Sequence, residues 1–499
     1  MIKRVLIANR GEIALRVIHA CREMDIESVA VYSDADVSSP HVTAADQAIH
    51  IGPAPPIESY LSVTRLIEAA RTSGADSVHP GYGFLAQNPT FASACEKAGL
   101  TFIGPPSGVL AQMGSKIAAR RLMEAGGVPV VPGETPVDQT DEGIQAAVQR
   151  VGLPVLVKAS AGGGGKGMRR VTEAADIQAA IQAARREGQT AFGDGTLYVE
   201  RLIPRPRHLE VQVFADNHGN VIHLFERECS VQRRHQKVIE ESPSPIANAR
   251  LRSRMTEAAI RATRASGYRN AGTVEFLVDT SAGRGAERFY YLEMNTRLQV
   301  EHPVTEQVTG LDLVRAQLLV ASNEPLPWTS SSLTQRGHAI EARVYAEDPA
   351  RGFLPQAGRI LLYREPRMPG VRVDSGVAEG TDVPIHYDPL LAKVIATAAT
   401  REEAVRRLVC ALREFPILGV HTNTGFLLRI LEHPRFRAGD IDTGWLDAEG
   451  ASFAAQARDV PLHVQAAVGA YESESRPQNH DATQASQPDP WQSLREWRT

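Results

Sequence analysis

The sequence predicts a protein of the α/β and α+β classes, with a parallel-sheet lobe first, then a small mobile lid and a large lobe. Short apolar strands alternate with helical stretches over about the first hundred residues, a rhythm typical of a parallel sheet covered by helices. Further along, a glycine-rich loop joins two strands. With 499 residues, the chain also exceeds the size at which one hydrophobic core keeps growing. We therefore expect two or three lobes that share a central sheet.

The composition is that of a globular enzyme. Hydrophobic residues make up 43% of the chain and charged residues 22%, and the formal net charge is -4, which gives no reason to expect nucleic acid or an anionic membrane as a partner. The 4 cysteines include no Cys-x-x-Cys pair, which argues against a disulfide framework or structural zinc. The first strand is too short for a signal peptide, and no run of about 18 apolar residues occurs. We expect a cytoplasmic protein.

The first lobe is predicted from alternating elements in residues 5 to 104. The predicted elements, in chain order, are a strand at 5–8, a helix at 12–24, a strand at 29–32, a helix at 60–72 and a strand at 101–103. A helix over 116–125 then ends at a group of glycines and prolines in residues 126–132. Such breakers would free the next segment to move as a separate lobe.

That next segment, residues 133 to 203, is predicted to be the lid. Its elements are a strand at 155–159, a glycine loop at 162–167, a strand at 168–171, a helix at 173–187 and a strand at 197–201. The loop matches G-x-G-x-x-G, but a strand follows it, and Gly167 stands where a P-loop requires Ser or Thr. Glycines let backbone N–H groups approach phosphates, so a phosphate-covering flap is our interpretation. The alternative is a plain flexible hairpin tip.

The large lobe follows the lid and is predicted from five strands. They lie at 209–214, 221–225, 273–278, 289–294 and 339–345. After about Leu446 the chain becomes rich in Ala, Gln, Ser, Asp and Pro. We predict that residues 447–499 form a disordered or partner-docking tail.

Two strands of the large lobe, 273–279 and 289–295, should form an antiparallel hairpin. If Asp279 lies opposite Phe289, then Glu275 lies opposite Glu293, and Asn295 follows on the same face. At an effective dielectric constant near 20, two such charges about 4 Å apart repel by roughly 4 kcal/mol. A divalent cation resolves that repulsion, and an all-oxygen donor set suits Mg²⁺ or Mn²⁺. The alternative is a solvated polar sheet face.

Polar residues continue beyond this hairpin at every second position. Arg297, Gln299 and Glu301 follow Glu293 and Asn295 in this alternation. A straight strand would separate the first and last of the five by about 26 Å, which is too wide for one reaction centre. We therefore favour a turn near residue 296 that folds the later three back over the metal. The alternative is an exposed polar face.

Two further runs are rich in polar groups. His208, Glu210 and Gln212 share one face of a strand, and donors are dense from Arg227 to Lys237. Such donors suit ribose hydroxyls and phosphate oxygens. The alternative for the second run is a solvated basic loop.

Taken together, these residues resemble the biotin carboxylase family of the ATP-grasp superfamily, as found in acetyl-CoA and other acyl-CoA carboxylase α-chains. The resemblance spans about residues 1 to 446. It rests on IANRGEIA at 7–14, HPGYGFL at 79–85, Lys158 with GGGGKGM at 162–168, SVQRRHQK at 230–237, EESPSP at 240–245, EMNTRLQVEHPVTE at 293–306 and HAIEAR at 338–343.

The resemblance implies a domain order. A Rossmann-like pre-ATP-grasp domain would span 1–115, an ATP-grasp domain 116–320 with its lid at about 133–203, and a C-terminal biotin carboxylase domain 335–446. It also implies a nucleotide site made by residues at the phosphates, the adenine and the ribose: Lys116, Lys158, Gly164, Gly165, Glu200, Arg201, Leu202, Ile203, His208, Gln232 and His235.

The resemblance further assigns the reacting groups. Glu275, Glu293 and Asn295 would hold Mg²⁺ or Mn²⁺. Bicarbonate would be gripped by Lys237, Arg297, Gln299 and the Val300 backbone. Glu301 would deprotonate bicarbonate so that it attacks ATP, and Arg343 would stabilise the biotin enolate.

The resemblance implies that biotin arrives on a separate carrier. No lysine of the sequence stands in a Met-Lys-Met-like turn. A biotin carboxyl carrier protein and a carboxyltransferase subunit are the expected partners, and a homodimer or larger complex is the expected assembly. Two alternatives remain open: another ATP-grasp ligase that forms an acyl phosphate, and a catalytically silent subunit of a carboxylase complex.

Overall fold

The N-terminal lobe is a parallel sheet between helices. The computed structural model describes residues 2–160, 167–283 and 285–454. The first elements are β1 (Arg4–Ile7), α1 (Gly11–Glu23), β2 (Glu27–Tyr32), α2 (Pro40–Ala44), β3 (Gln47–His50), α3 (Val63–Ser73), β4 (Ser77–His79), α4 (Pro89–Lys97), β5 (Thr101–Phe102) and α5 (Ser107–Gly114). The strands pair in parallel in the order β3-β2-β1-β4-β5. The predicted parallel α/β lobe is confirmed.

Two loops meet at the carboxyl edge of this sheet. Asn9, just after β1, donates from Nδ2 to the carbonyl oxygens of Pro80 at 2.8 Å and Tyr82 at 2.7 Å, just after β4. Gly11 has a φ of +66° where the chain turns into α1, a conformation that favours glycine. Loops at the carboxyl ends of parallel strands commonly build ligand sites, and these two reach the second cavity described below.

The lid is a four-stranded antiparallel sheet with helices on it. Helix α6 (Lys116–Ala125) precedes the lid. The lid contains β6 (Gly133–Glu134), α7 (Asp141–Val151), β7 (Val155–Ala159), β8 (Met168–Val171), α8 (Ile177–Phe192) and β9 (Leu197–Arg201), with strand order β6-β9-β7-β8. Its own small core includes Val155, Val157 and Val199. The three predicted strands have the observed bounds, and each contributes at least one apolar side chain to this core.

A large antiparallel sheet forms the centre of the molecule. Its lobe begins with β10 (Arg207–Ala215), β11 (Val221–Arg233), β12 (Gln236–Ser242), α9 (Ala249–Ala265), β13 (Asn270–Asp279), β14 (Arg288–Asn295), α10 (His302–Thr309), α11 (Leu313–Ala321) and β15 (His338–Tyr345). The chain continues with β16 (Glu347–Asp348), β17 (Leu354–Pro355), β18 (Gly358–Arg359), β19 (Leu362–Tyr363), β20 (Val371–Ser375), β21 (Asp382–Val383), β22 (Leu390–Ala398), α12 (Arg401–Arg413), β23 (Ile417–Leu418), α13 (Thr424–Glu432), α14 (Pro434–Ala438) and α15 (Trp445–Phe453).

The central sheet has eight strands in the order β14-β13-β10-β11-β12-β15-β22-β20. It therefore runs without a break from the predicted ATP-grasp segment into the C-terminal segment. The expectation that all lobes share this sheet is wrong, because the N-terminal lobe and the lid have sheets of their own. Within the large lobe, side chains from distant parts of the sequence meet on the face of the central sheet.

The hairpin of β11 and β12 was not predicted from the sequence. Arg233 pairs with Gln236, so the turn has only Arg234 and His235 at its centre. Both have positive φ, +48° and +66°, as in a type I′ turn. Such turns usually contain Asn or Gly, and neither residue is present here to reveal the hairpin.

The end of the described chain corrects one prediction. Residues 447–453, assigned to a disordered or partner-docking tail, lie in helix α15. Trp445 and Phe453 belong to the core of the C-terminal segment, and their rings lie 5.6 Å apart between centroids. These two aromatic side chains, together with Leu446, anchor a stretch of otherwise small and polar residues. The rest of the predicted tail, 455–499, lies outside the described residues, and no helix in the described part is long and apolar enough to cross a membrane.

Candidate active site

The carboxylate hairpin forms with a shifted register. Val278, not Asp279, lies opposite Phe289, so our starting pair was wrong by one residue. A bulge between Phe276 and Glu275 restores the count, because it leaves Leu292 as the extra residue of β14. Glu275 therefore lies opposite Glu293, as predicted.

The predicted turn after this hairpin is also present. Strand β14 ends at Asn295, and helix α10 begins at His302 with Glu301 at its N-cap position. Within the turn, Arg297 donates from Nη1 to Gln299 Oε1 at 2.6 Å and from Nη2 to Asn295 Oδ1 at 3.3 Å. The turn returns Gln299 to the hairpin, where its Nε2 donates to Glu275 Oε1 at 3.1 Å.

Lys237 lies at the centre of the site. Its Nζ is 2.6 Å from Glu210 Oε2, 2.9 Å from Glu275 Oε1 and 2.6 Å from Glu301 Oε1. Burial disfavours its charge, yet the surrounding anionic groups raise the pKa of Lys237 well above its usual value. The ammonium group therefore holds three carboxylates in one cluster. They come from β10, from β13 and from the turn over residues 296–301, which we call the catalytic turn.

Glu301 is held between two cations. Its second oxygen, Oε2, is 2.9 Å from Arg343 Nη2, while Oε1 faces Lys237. Burial acts to raise the pKa of Glu301, but Lys237 and Arg343 outweigh it and hold the pKa well below its usual value. Glu301 is thus an anion at neutral pH, and it can accept a proton.

The two paired glutamates have different surroundings. Glu275 accepts hydrogen bonds from Asn295 Nδ2 at 2.8 Å and lies 3.0 Å from His208 Nε2. Despite burial, Lys237 and His208 lower the pKa of Glu275. Glu293 has no hydrogen-bond donor among the described side chains, and burial together with the charge of Glu275 raises its pKa. The repulsion expected between the two glutamates therefore raises the pKa of Glu293 and not that of Glu275. The Glu293 oxygens are available to bind a cation.

Arg227 and Glu210 were not among the predicted site residues. Arg227 is completely buried and donates to Glu210 Oε1 at 2.5 Å, Gln212 Oε1 at 2.8 Å and Thr305 Oγ1 at 2.9 Å. The alternative of a solvated basic loop is therefore wrong for this residue. The alternating polar positions of β10 were the available signal, since Glu210 and Gln212 are both fully buried.

Most of the predicted nucleotide residues line one cavity of about 730 Å³ between the lid and the central sheet. Predicted site residues along its wall are Lys116, Lys158, Glu200, Arg201, Leu202, Ile203, His208, Gln232, His235, Glu275 and Glu293. Lys158 Nζ lies 2.7 Å from Glu200 Oε2, and Arg120 Nη1 lies 2.9 Å from Glu200 Oε1. Gly164 and Gly165 lie outside the described residues.

A second cavity of about 300 Å³ lies beyond the catalytic turn. Arg297, Val300 and Arg343 line one side of it, and Tyr82 and Tyr387 belong to its other wall. The lysine–carboxylate cluster of Lys237, Glu275 and Glu301 connects the two cavities, because Glu275 lines the first and the Glu301 partner Arg343 lines the second.

Lys393 supports the catalytic turn from beneath. It is fully buried and donates from Nζ to the Val300 carbonyl oxygen at 2.9 Å. The same Nζ lies 3.1 Å from Glu12 Oε1 and 3.7 Å from Asp374 Oδ2, and Glu12 accepts a hydrogen bond from the Tyr82 hydroxyl. Lys393 was not among the predicted site residues, because its partners come from distant parts of the sequence.

Protein-family models match the chain in three successive parts. They are the biotin carboxylase N-terminal domain at 1–110, the carbamoyl-phosphate synthase L chain ATP-binding domain at 115–329 and the biotin carboxylase C-terminal domain at 341–448. The biotin carboxylase of Halalkalibacterium halodurans is 48% identical over 446 residues, which are 89% of this chain and 97% of that protein. The chain belongs to the biotin carboxylase family.

Two further relatives indicate the range of this biotin carboxylase family. The mitochondrial methylcrotonoyl-CoA carboxylase subunit alpha of Rattus norvegicus is 48% identical over 446 residues, 89% of this chain, but the match spans only 62% of that relative. A solved biotin carboxylase domain dimer from the Hydrogenobacter thermophilus 2-oxoglutarate carboxylase contains MgADP, ADP and bicarbonate. It has a TM-score of 0.86 and 41% identity, covering 92% of this chain and 100% of that one. As a biotin carboxylase, the chain is an ADP-forming ATP-grasp enzyme.

Proposed function

We propose that the chain carboxylates the ureido nitrogen of biotin on a carrier protein, using ATP and bicarbonate through carboxyphosphate. The observation that carries the proposal is the position of Glu301. This carboxylate lies between Lys237 and Arg343, at the junction of the nucleotide-sized cavity and the smaller cavity. A base at that junction can act on bicarbonate beside both ATP and biotin.

The larger cavity suits a nucleotide by size and by charge. Lys116 and Lys158 on its wall provide positive charge for phosphates, and cations directed at a transferring phosphoryl group stabilise its transition state. The solved relative from Hydrogenobacter thermophilus is a complex with MgADP, which supports the same use here.

The oxygen donors of the hairpin fit a hard divalent cation. Glu293 has no donor among the described side chains and faces Glu275, so a cation would relieve a repulsion that the fold leaves in place. We propose Glu275, Glu293 and Asn295 as the residues that hold Mg²⁺ or Mn²⁺. When bound, this ion would neutralise charge on the ATP phosphates.

Glu301 is the proposed base for bicarbonate. With both oxygens paired to cations, its low pKa makes it a weak proton acceptor. Lys237, Arg297 and Gln299 can turn their donors toward the bicarbonate anion when it arrives. Glu301 then loses part of its cationic environment and becomes a stronger base at the moment when the proton must leave bicarbonate.

The smaller cavity is the proposed biotin site. Arg343 lines it with a guanidinium group whose Nε has no hydrogen-bond partner in the described structure. Carboxyphosphate would break down to CO₂ and phosphate, and the phosphate would take the ureido proton of biotin. The guanidinium group can stabilise the negative charge that then develops on the ureido oxygen. Arg343 thus serves both the Glu301 carboxylate and the biotin enolate.

We also propose the assembly in which this activity works. Segments 1–115, 116–320 with a lid at about 133–203, and 335–446 would act as domains of a cytoplasmic subunit. Its partners would be a biotin carboxyl carrier protein and a carboxyltransferase of an acetyl-CoA or other acyl-CoA carboxylase, and the subunit would form a homodimer or larger complex. The methylcrotonoyl-CoA relative supports an acyl-CoA acceptor.

The decisive experiment measures ADP release from the purified chain with Mg²⁺, ATP and free biotin, with and without bicarbonate. The proposal predicts ADP release that requires bicarbonate, together with carboxybiotin trapped from labelled bicarbonate. Release of ADP without carboxybiotin would favour another acyl-phosphate ligase. Absence of both would favour a silent subunit.

A further inference from the structure

The wall of the smaller cavity includes an aromatic residue, Tyr387, that contacts two neighbouring loops. Tyr387 lines this cavity, and its hydroxyl group is 2.5 Å from Ser33 Oγ and donates to the Ala54 carbonyl oxygen at 2.6 Å. The Arg10 guanidinium group lies 4.5 Å from the centre of its ring. One side chain thus joins the loop after β2, the loop after β3 and its own loop before β22 beside this cavity.

Each of these three loops exposes an aliphatic side chain. Val37 is 59% exposed, Ile57 is 71% exposed and Ile385 is 81% exposed. Val37 follows Asp36, which pairs with Arg10 of the cavity wall at 2.7 Å, and Ile385 stands two positions before Tyr387. We call Val37, Ile57 and Ile385 the apolar rim.

The apolar rim has no role in the fold or in the chemistry proposed above. Exposed single apolar residues are common, but three on loops that are joined through one cavity-lining tyrosine indicate an interaction site. A contrasting case is Val137 on the lid, which is completely exposed and whose neighbours line neither of the two cavities.

We propose that the apolar rim is the docking surface for the carrier protein, and that it contacts the carrier around its biotinylated lysine. This inference rests on the proposed function, since it takes the smaller cavity as the biotin site. Biotin on a carrier reaches a cavity only through the lysine side chain and the short acyl chain of biotin itself. The carrier surface next to that lysine must therefore come into contact with the residues around the opening.

The chemistry of the rim indicates what this carrier surface should be. Aliphatic side chains on exposed loops gain most by covering apolar groups, so the carrier is expected to present apolar residues beside its lysine. The interface would be small, because a carrier that visits a second active site has to leave, and small interfaces bind weakly.

The test compares two substrates with one set of variants. Ile57→Asp and Ile385→Asp, singly and together, place charges on the rim without touching the cavity wall, and Val137→Asp is the matched control. The substrates are free biotin and the biotinylated carrier protein of the organism from which the chain comes, prepared with biotin ligase. We expect kcat/KM for the carrier to fall about tenfold or more in the double variant, while kcat/KM for free biotin and the KM for ATP stay unchanged.

Two results would overturn the docking proposal. An unchanged kcat/KM for the carrier would show that the rim is not used, and an equal loss with both substrates would show that the rim shapes the cavity instead. Failure of the wild-type chain to carboxylate biotin in either form would instead refute the proposed function.

A photo-crosslinking residue at position 385 provides a second measurement that does not depend on activity. It should capture the biotinylated carrier, and the same residue at position 137 should not. Capture of a second copy of this chain at position 385, with no carrier product, would assign the rim to self-association and contradict the proposal.

Discussion

At the scale of single residues, the site contains two facing glutamates that the fold treats differently. Glu275 is surrounded by donors from Lys237, Asn295 and Gln299. Glu293 is partly buried and lies beside the like charge of Glu275. The same residue type therefore has two roles: Glu275 organises the cluster, and Glu293 supplies unpaired anionic oxygen.

Glu293→Gln tests the metal assignment. The amide keeps the shape but removes one anionic oxygen from a hard-cation site, so the Mg²⁺ concentration for half-maximal ATP turnover should rise about tenfold or more. Stability should not fall, because the substitution also removes the repulsion with Glu275. A Mg²⁺ titration of ADP release checks this, and a dependence equal to that of the wild type would contradict the assignment.

Glu301→Gln separates binding from proton transfer. The variant should bind MgATP with wild-type affinity, since Glu301 does not line the larger cavity, yet lose bicarbonate-dependent ATP cleavage by about 100-fold or more. Nucleotide binding is measured by calorimetry and cleavage by ADP release. If turnover persists at the wild-type rate across pH, the base lies elsewhere.

His79 should make folding sensitive to acid. Burial lowers the pKa of His79 to about 4, and its Nδ1 accepts the Gly81 N–H at 3.0 Å, which requires the neutral ring. The unfolded chain takes up this proton below its ordinary value, about 6.5, so stability is complete above that pH and is lost as the pH falls toward 4. From pH 7 to pH 5 the loss should be about 2 kcal/mol for this group.

Denaturant unfolding at pH 7 and pH 5 measures this contribution. His79→Asn should lose less unfolding free energy between the two pH values than the wild type, although it starts less stable. His386→Asn, at an exposed position, is the control and should keep the wild-type slope. Equal slopes for wild type and His79→Asn would contradict the prediction.

At the scale of elements, the β11–β12 hairpin carries part of the site on a turn whose backbone conformation is unfavourable. Arg234 and His235 both adopt positive φ, which costs an ordinary L-residue about 1–2 kcal/mol. The turn places His235 on the larger cavity and, two residues later, Lys237 in the carboxylate cluster. The strained backbone is therefore next to two proposed functional side chains.

Arg234→Asn should stabilise this hairpin. Asn tolerates the left-handed region better than Arg, so the free energy of unfolding should rise by about 0.5–1 kcal/mol, with little change in the KM for ATP because Arg234 does not line the cavity. Arg367→Asn changes the same residue type at an exposed position without positive φ and should have no such effect. Denaturant unfolding distinguishes the two variants.

At the scale of the whole molecule, Lys393 joins parts of the chain that are far apart in sequence. It reaches Glu12 at the start of α1, the Val300 carbonyl in the catalytic turn and Asp374 in β20. The N-terminal lobe, the catalytic turn and the C-terminal part of the central sheet therefore depend on one buried ammonium group.

Lys393→Met should destabilise the protein by about 3–5 kcal/mol, because it leaves buried carboxylates without their cation. Adding Glu12→Gln should recover part of this loss, since one of those carboxylates is then neutral. Lys97→Met, at an exposed position in α4, is the matched control and should change stability little. Additive losses in the double variant would show that Lys393 and Glu12 are not coupled.

The sequence by itself determined the elements that have a strong local pattern. The alternation of strands and helices predicts the parallel N-terminal lobe. Alternating apolar and polar side chains, bounded by glycine and proline residues, predict the lid strands and the pairing of Glu275 with Glu293. The family motifs added the roles proposed for positions such as Glu301 and Arg343. These properties can be predicted because they depend on neighbours within one strand or one hairpin.

Only the tertiary structure decided which distant groups meet. Three features carry no strong local signal in the sequence: the bulge at Leu292, the Arg234–His235 turn and the helix over 445–453. The helix is stabilised by the packing of Trp445 and Phe453 in the core of the C-terminal segment. Lys393 meets Glu12 from a distant part of the sequence. Tyr387 likewise meets Ser33 in the loop after β2. A contact between residues hundreds of positions apart is fixed by strand order and burial, which no local sequence pattern records.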